Sequence, residues 1–137
     1  MKFGEVIVTL LEDAKFYLRQ INESVYTRPI RLLFNASVGH HTQHIIESLQ
    51  CLVAQAPQGV INYNERVYDN EIAQDPYYAI EVIDHLIVAL KTLDEKTTVS
   101  ILSAYNQNGQ PTASNIEREL LYNTEHINHH FSLIKIA

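Results

Sequence analysis

Two short runs of histidine carry most of the chemistry that this chain could perform. Six of its seven histidines fall within Ser37-Val38-Gly39-His40-His41-Thr42-Gln43-His44 and Glu125-His126-Ile127-Asn128-His129-His130, two stretches far apart in the sequence. Neutral imidazole is the commonest biological ligand for transition metals. A His pair four residues apart on one helix, joined by a third His from another, makes a three-nitrogen site at which a metal keeps open positions. Helical residues four apart differ by about 40° in azimuth and ~6 Å in height, so His126 and His130 can chelate one ion. His129 falls farther from the apolar stripe of Ile116, Leu120, Ile127 and Ile134, toward a boundary. A lone HxxxH is short and more often marks a polar helix edge; a second cluster on another helix reverses that weighting.

The first run leaves two candidates for the third ligand. If Val38, Ile45 and Leu49 centre the buried face, His41 lies about 60° from it and His44 about 120°, with His40 nearly opposite. Periodicity thus favours His41 as the inward imidazole and puts His44 at an edge. Cys51 stands about 10 Å beyond His44 along the axis, too far to share its ion, and reads as a small buried apolar side chain. His85, next to Asp84 and off the stripe of Ile80, Ile83 and Ile87, reads as a surface residue. Glu12, Asp13, Lys15 and Arg19 read as a solvated face.

Four segments have the periodicity needed to position these groups. The first runs from about Phe3 to Ile21. The second begins near Asn35 or Ser37 and reaches about Gln55, where Pro57-Gln58-Gly59 stops it. The third opens at Asp75-Pro76, an N-cap residue followed by proline at the first helical position, and reaches about Asp94. The fourth opens with Ser114-Asn115-Ile116-Glu117, which has the form of a capping box, and continues to the C-terminus. Together they predict an all-α fold, a four-helix bundle with two long connections, 56–74 and 95–113. Thr97-Thr98-Val99-Ser100-Ile101-Leu102 leans toward extended structure, and Asn108-Gly109 is a turn signal, so a small ribbon could form there.

Bulk properties set the limits. With 137 residues the chain is expected to be a single domain, residues 1–137, that needs no covalent staple. The formal charge of -6 and the lack of a basic run disfavour a nucleic-acid partner, whose non-specific affinity comes from clustered Lys and Arg. Cys51 is the only cysteine, so no internal disulfide forms and nothing implies an oxidising compartment. Met1-Lys2-Phe3-Gly4-Glu5 meets an acidic residue too soon for a secretory h-region. No apolar run approaches the ~18 residues that a spanning helix needs. The expectation is a cytoplasmic protein with no membrane partner.

The string Ser37-x-Gly39-x-His41-x-x-His44, followed by Arg118-Glu119-Leu120-Leu121-Tyr122 and His126-x-x-His129-His130, resembles the DinB/YfiT-like proteins. Asn62-Tyr63-Asn64-x-Arg66 and the Asp75-Pro76 helix start fit a branch of that family, and the likeness runs in order over nearly the whole chain. The resemblance implies a four-helix bundle with a variant of up-and-down topology, and a homodimer. It also implies a divalent ion, zinc or nickel, held by His44, His126 and His130, which selects His44 over the periodicity preference for His41 and makes His41 a supporting residue. The activities it implies are metal-dependent S-transfer or isomerisation with a low-molecular-weight thiol. The family's name refers to induction by DNA damage and implies no DNA binding. The chain is a little short for the family, and no thiol-binding site is identifiable in it.

Three neutral imidazoles leave a divalent ion with its full charge and at least one free position, where a bound water or thiol becomes acidic. The expected function is therefore a metal-dependent transferase or hydrolase, in which a small thiol or water attacks an electrophile on a small-molecule substrate. His41, Glu119 and Tyr122 are candidate supporting groups, and Arg66 a candidate anion clamp. No glutamate adjoins the first His of the pair as in HExxH, so peptidase chemistry is disfavoured and no general base is specified. The alternatives are a non-catalytic metal-binding or stress-related bundle and a metal-free interaction module.

Overall fold

The computed structural model describes residues 3–102 and 110–136. Among the described residues five α-helices form: α1 (Phe3–Leu18), α2 (Glu23–Thr27), α3 (Val38–Gln55), α4 (Pro76–Leu90) and α5 (Ile116–Ile136). Three short strands accompany them: β1 (Val60–Ile61), β2 (Thr98–Ile101) and β3 (Thr112–Asn115). α3 packs on α5 and α4, and α1 packs on α4 and α5. Ile7, Leu11, Ile46, Leu49, Ile83, Leu120 and Ile127 share one buried apolar cluster among them.

The strands correct the expectation of an all-α four-helix bundle. They make one mixed sheet in the order β1-β2-β3. β1 runs parallel to β2 in the register Val60↔Ser100 and Ile61↔Ile101. β3 runs antiparallel to β2, from Thr98↔Asn115 to Ile101↔Thr112. The residues read as two loose connections thus carry buried Ile61 and Val99, and their backbone amides need partners once they leave water. The extended leaning at 97–102 is realised as β2; the Asn108-Gly109 turn lies outside the described residues.

Local chemistry fixes the helix ends. Ser37 caps α3: its Oγ accepts from His40 N at 3.0 Å, while His40 Nδ1 receives Ser37 N–H at 3.3 Å. His40 is exposed, as its place opposite the buried face suggests, and also serves the cap. Asp75 Oδ1 accepts from Tyr77 N at 2.9 Å and Tyr78 N at 3.3 Å, as the Asp-Pro start of α4 predicts. The start of α5 is displaced from its expected form: Asn115 supplies the cap, accepting Arg118 N–H at 2.8 Å. Ser114 belongs instead to β3 and donates to Glu119 Oε2 at 2.7 Å. α1 ends at Leu18 and α4 at Leu90, each a few residues earlier than periodicity suggests. Lys15 is buried rather than solvated, paired with Asp84 of α4 and with Glu12.

Gly39 sets how closely the start of α3 is approached. A Cβ there would stand 2.1 Å from the carbonyl oxygen of Ala73 and 3.0 Å from the Tyr26 ring. Ala73 ends a 3₁₀ turn, Asn70–Ala73, and the Tyr26 hydroxyl donates to the carbonyl of Ile72 in the same turn. Only glycine lets that turn and Tyr26 lie against the first turn of α3. No helix of the described residues is long and apolar enough to cross a membrane.

Candidate metal centre

α3 and α5 run antiparallel, and two polar contacts fix their register. Ser48 Oγ donates to Asn123 Oδ1 at 2.6 Å. Seven residues earlier on α3 and seven later on α5, His41 Nδ1 meets His130 Nδ1 at 2.7 Å. His44 lies between these two layers on α3, and His126 between them on α5. The antiparallel pairing thereby gathers imidazoles from both ends of the chain.

His130 is the hub of the cluster. Its Nε2 stands 3.0 Å from His126 Nε2, and its Nδ1 faces His41. Its ring centroid lies 4.5 Å from that of His126, 5.0 Å from His41 and 5.7 Å from His44. His129 lies 5.5 Å away, exposed, on the far edge. A neutral imidazole has one N–H and one lone pair. Each short N···N contact needs one donor and one acceptor, so the three rings form a hydrogen-bonded chain polarised in one direction. Either direction leaves an outer nitrogen without a partner at each end, and His41 Nε2 and His126 Nδ1 are indeed buried and unpartnered.

The surroundings hold these rings neutral. Burial and the neighbouring imidazoles bring His130 down to about 3. His41 and His126 are lowered, first by burial. His44 is lowered by partial burial and then by the positive charge of Arg66. Neutral imidazole is the ligating form, so the donor chemistry fits a divalent cation. Glu47 also fits one: its side chain is 1% exposed and its Oε1 has no hydrogen-bond partner. Its Oε2 accepts from Gln43 Nε2 and Asp69 N, both at 3.0 Å. A buried carboxylate with one free oxygen, one helical turn from His44, gains from a nearby cation.

The three residues expected to bind metal do not yet aim at one point. Among the described residues, no three His, Cys, Asp or Glu side chains are arranged as a ready metal shell. The reason is local: His130 and His126 spend their Nε2 atoms on each other, and His44 stacks on His130 with 23° between ring planes. A stacked ring presents its face rather than its nitrogen, so His44 must rotate to join them. It is exposed, which leaves that rotation free of core packing.

Other residues singled out in the sequence fall into place. His41 is buried, 8% exposed, and touches His130 rather than the open side of the cluster. Tyr122 stacks on His126 with centroids 6.0 Å apart. Glu119 is buried and accepts from Tyr63 Oη at 2.8 Å and from Ser114, a tie between α5, β3 and the turn at 63–65. Cys51 is buried, donates to Asn62 O at 3.3 Å, and burial pushes its thiol up. His85 is exposed. The sequence reading missed Glu47, although its place three residues after His44 was the available signal. Ser48 and Asn123, and the role of Tyr63 within its motif, escape the sequence because they depend on contacts between distant segments.

Among known proteins, the chain matches no family model, no curated protein and no solved structure.

Proposed function

We propose that the protein binds a divalent transition metal, zinc or nickel, through His44, His126 and His130. The single observation that carries this reading is the meeting of His126 Nε2 and His130 Nε2 at 3.0 Å, with His41 and His44 packed against His130. A metal held by the Nε2 of His130 leaves its proton on Nδ1, facing His41 Nδ1, which can accept it and fix the ring. Tyr122 supports the plane of His126 by stacking. His44 sits at the solvent edge, the side from which a small molecule would reach the ion.

When bound, such an ion supplies a positive charge that makes a coordinated thiol or water acidic. The reaction class we propose is substitution by a small thiol, or water, at an electrophilic carbon: the S–C or O–C bond forms, the nucleophile's proton goes to solvent, and the bond to the displaced group breaks with that group keeping the electron pair. The likeness of the His, Tyr and Arg motifs to DinB/YfiT-like proteins supports the thiol half of this reading. Metal quantification on untagged protein tests the binding. About one ion per chain that survives dialysis, and is lost in His130→Ala, is expected; near-zero metal in the wild type overturns it. Conjugation of a small thiol to a generic electrophile, lost on metal removal and regained on return, tests the reaction. Turnover indifferent to the metal contradicts it.

A second reading keeps the metal and drops the reaction: an ion that staples α3 to α5. The burial of His41 against His130 favours it, since a fourth protein donor would close the shell.

A further inference from the structure

We propose that Arg66 makes this site selective for anions: the small molecule that reaches the histidines carries a carboxylate or phosphoryl group, which the Arg66 guanidinium binds. The proposal rests on reading His44, His126 and His130 as one site.

Contacts made by the turn that precedes Arg66 bring it to the histidine end of α3 and α5. It follows the 3₁₀ turn Tyr63–Glu65, which is anchored to α3 through Cys51 Sγ on Asn62 O and to α5 through Tyr63 Oη on Glu119. The Tyr63 ring lies 5.4 Å from Tyr122, which stacks in turn on His126. The turn therefore lies on the Tyr122 side of His126. The charge of Arg66 is felt at His44, at His126 and at Cys51.

Arg66 is also short of partners. Its Nε is buried and has no hydrogen-bond partner. Its guanidinium carbon lies 6.0 Å from the Tyr68 ring centroid, a contact that leaves the in-plane N–H donors available. The chain has 16 Asp and Glu against 10 Lys and Arg, so carboxylates are in excess. Yet the ion pairs among the described residues belong to Lys15, and none holds Arg66. Glu47 commits its Oε2 to Gln43 and Asp69 instead. A planar guanidinium binds carboxylate or phosphate through two parallel hydrogen bonds, so a partly buried, unpaired one beside a cluster of neutral donors is suited to an anionic ligand.

The test uses the full chain, labelled with nitrogen-15 and free of metal, and follows the Arg66 Nε–H resonance while inorganic phosphate or acetate is added. Either anion should shift that resonance and those of His44 and His126 to saturation, and Arg66→Gln should weaken binding at least about tenfold. Arg66→Lys should retain part of it. Saturation by phosphate alone identifies a phosphoryl ligand, and by acetate alone a carboxylate. No response of the wild type to either anion, or equal binding by Arg66→Gln, overturns the proposal. Cobalt(II) titration of the same samples separates the two readings. Cobalt bound with no anion response sinks the anion site alone, whereas an anion response without cobalt binding sinks the metal and leaves Arg66 as an anion site.

Discussion

Nδ1 of His41 on α3 and Nδ1 of His130 on α5 share one proton across 2.7 Å. Only one of these two nitrogens can carry hydrogen at that distance, so protonating both would break the contact that joins the two helices at this level. The pairing thus couples the protonation of the cluster to the packing of α3 on α5, and it gives His130 a fixed orientation from which Nε2 faces His126.

That coupling has a sign. The His130 imidazole is held down to about 3 in the folded chain against about 6.5 when unfolded. Between those values the unfolded chain binds more protons, so stability rises with pH. The contribution is complete above about 6.5 and is lost progressively as pH falls toward 3. The urea midpoint of metal-free protein should fall between pH 7 and pH 5, and the fall should be smaller in His130→Gln. A midpoint that does not change over this range, or changes equally in the variant, would count against the coupling.

Alanine at His41 and at His44 should separate orientation from ligation. His41→Ala removes the partner of His130 Nδ1 and is expected to weaken zinc binding roughly 10–100-fold while leaving one ion per chain at saturation. His44→Ala removes a donor atom, and its ion should be lost to a competing chelator that the His41 variant resists. Competitive titration with a chromophoric chelator measures both. The reverse order would make His41 the ligand and His44 the bystander.

How much of this was legible in the sequence depends on the range of the interaction. The Asp75-Pro76 start and the stop around Pro57-Gln58-Gly59 act over a few residues and mark their helix ends as expected, while of the two expected starts, Asn35 and Ser37, it is Ser37 that caps α3. The stripe through Leu49, Leu120 and Ile127 was equally readable, because burial repeats with the helical period. β1 and β3 were not, since strands of two and four residues carry no usable period and exist only because β2 satisfies their backbone. In the sequence Lys15 reads as solvated because its partner, Asp84, lies on another helix. The inward turn of His41 followed from periodicity, whereas its pairing with His130 required the antiparallel register of α3 and α5. Glu47 stayed hidden because a glutamate in a helix is ordinarily a surface residue.

Gly39 offers a test of the fold that does not involve the histidine rings. Gly39→Ala would set a methyl group against the carbonyl of Ala73, whose Cβ-to-oxygen separation of 2.1 Å forces the 3₁₀ turn away from α3. A loss of about 1–3 kcal/mol is expected from overpacking of this kind, read as a lower urea midpoint with the slope unchanged. A variant as stable as the wild type would mean that the turn does not lie against α3.

X-ray absorption at the zinc edge of untagged, zinc-loaded protein tests the metal centre most directly. A first shell containing three imidazole nitrogens at about 2.0–2.1 Å is expected, falling to two in His44→Ala and again to two in His126→Ala. A shell with no imidazole scattering, or one that neither substitution alters, would contradict it.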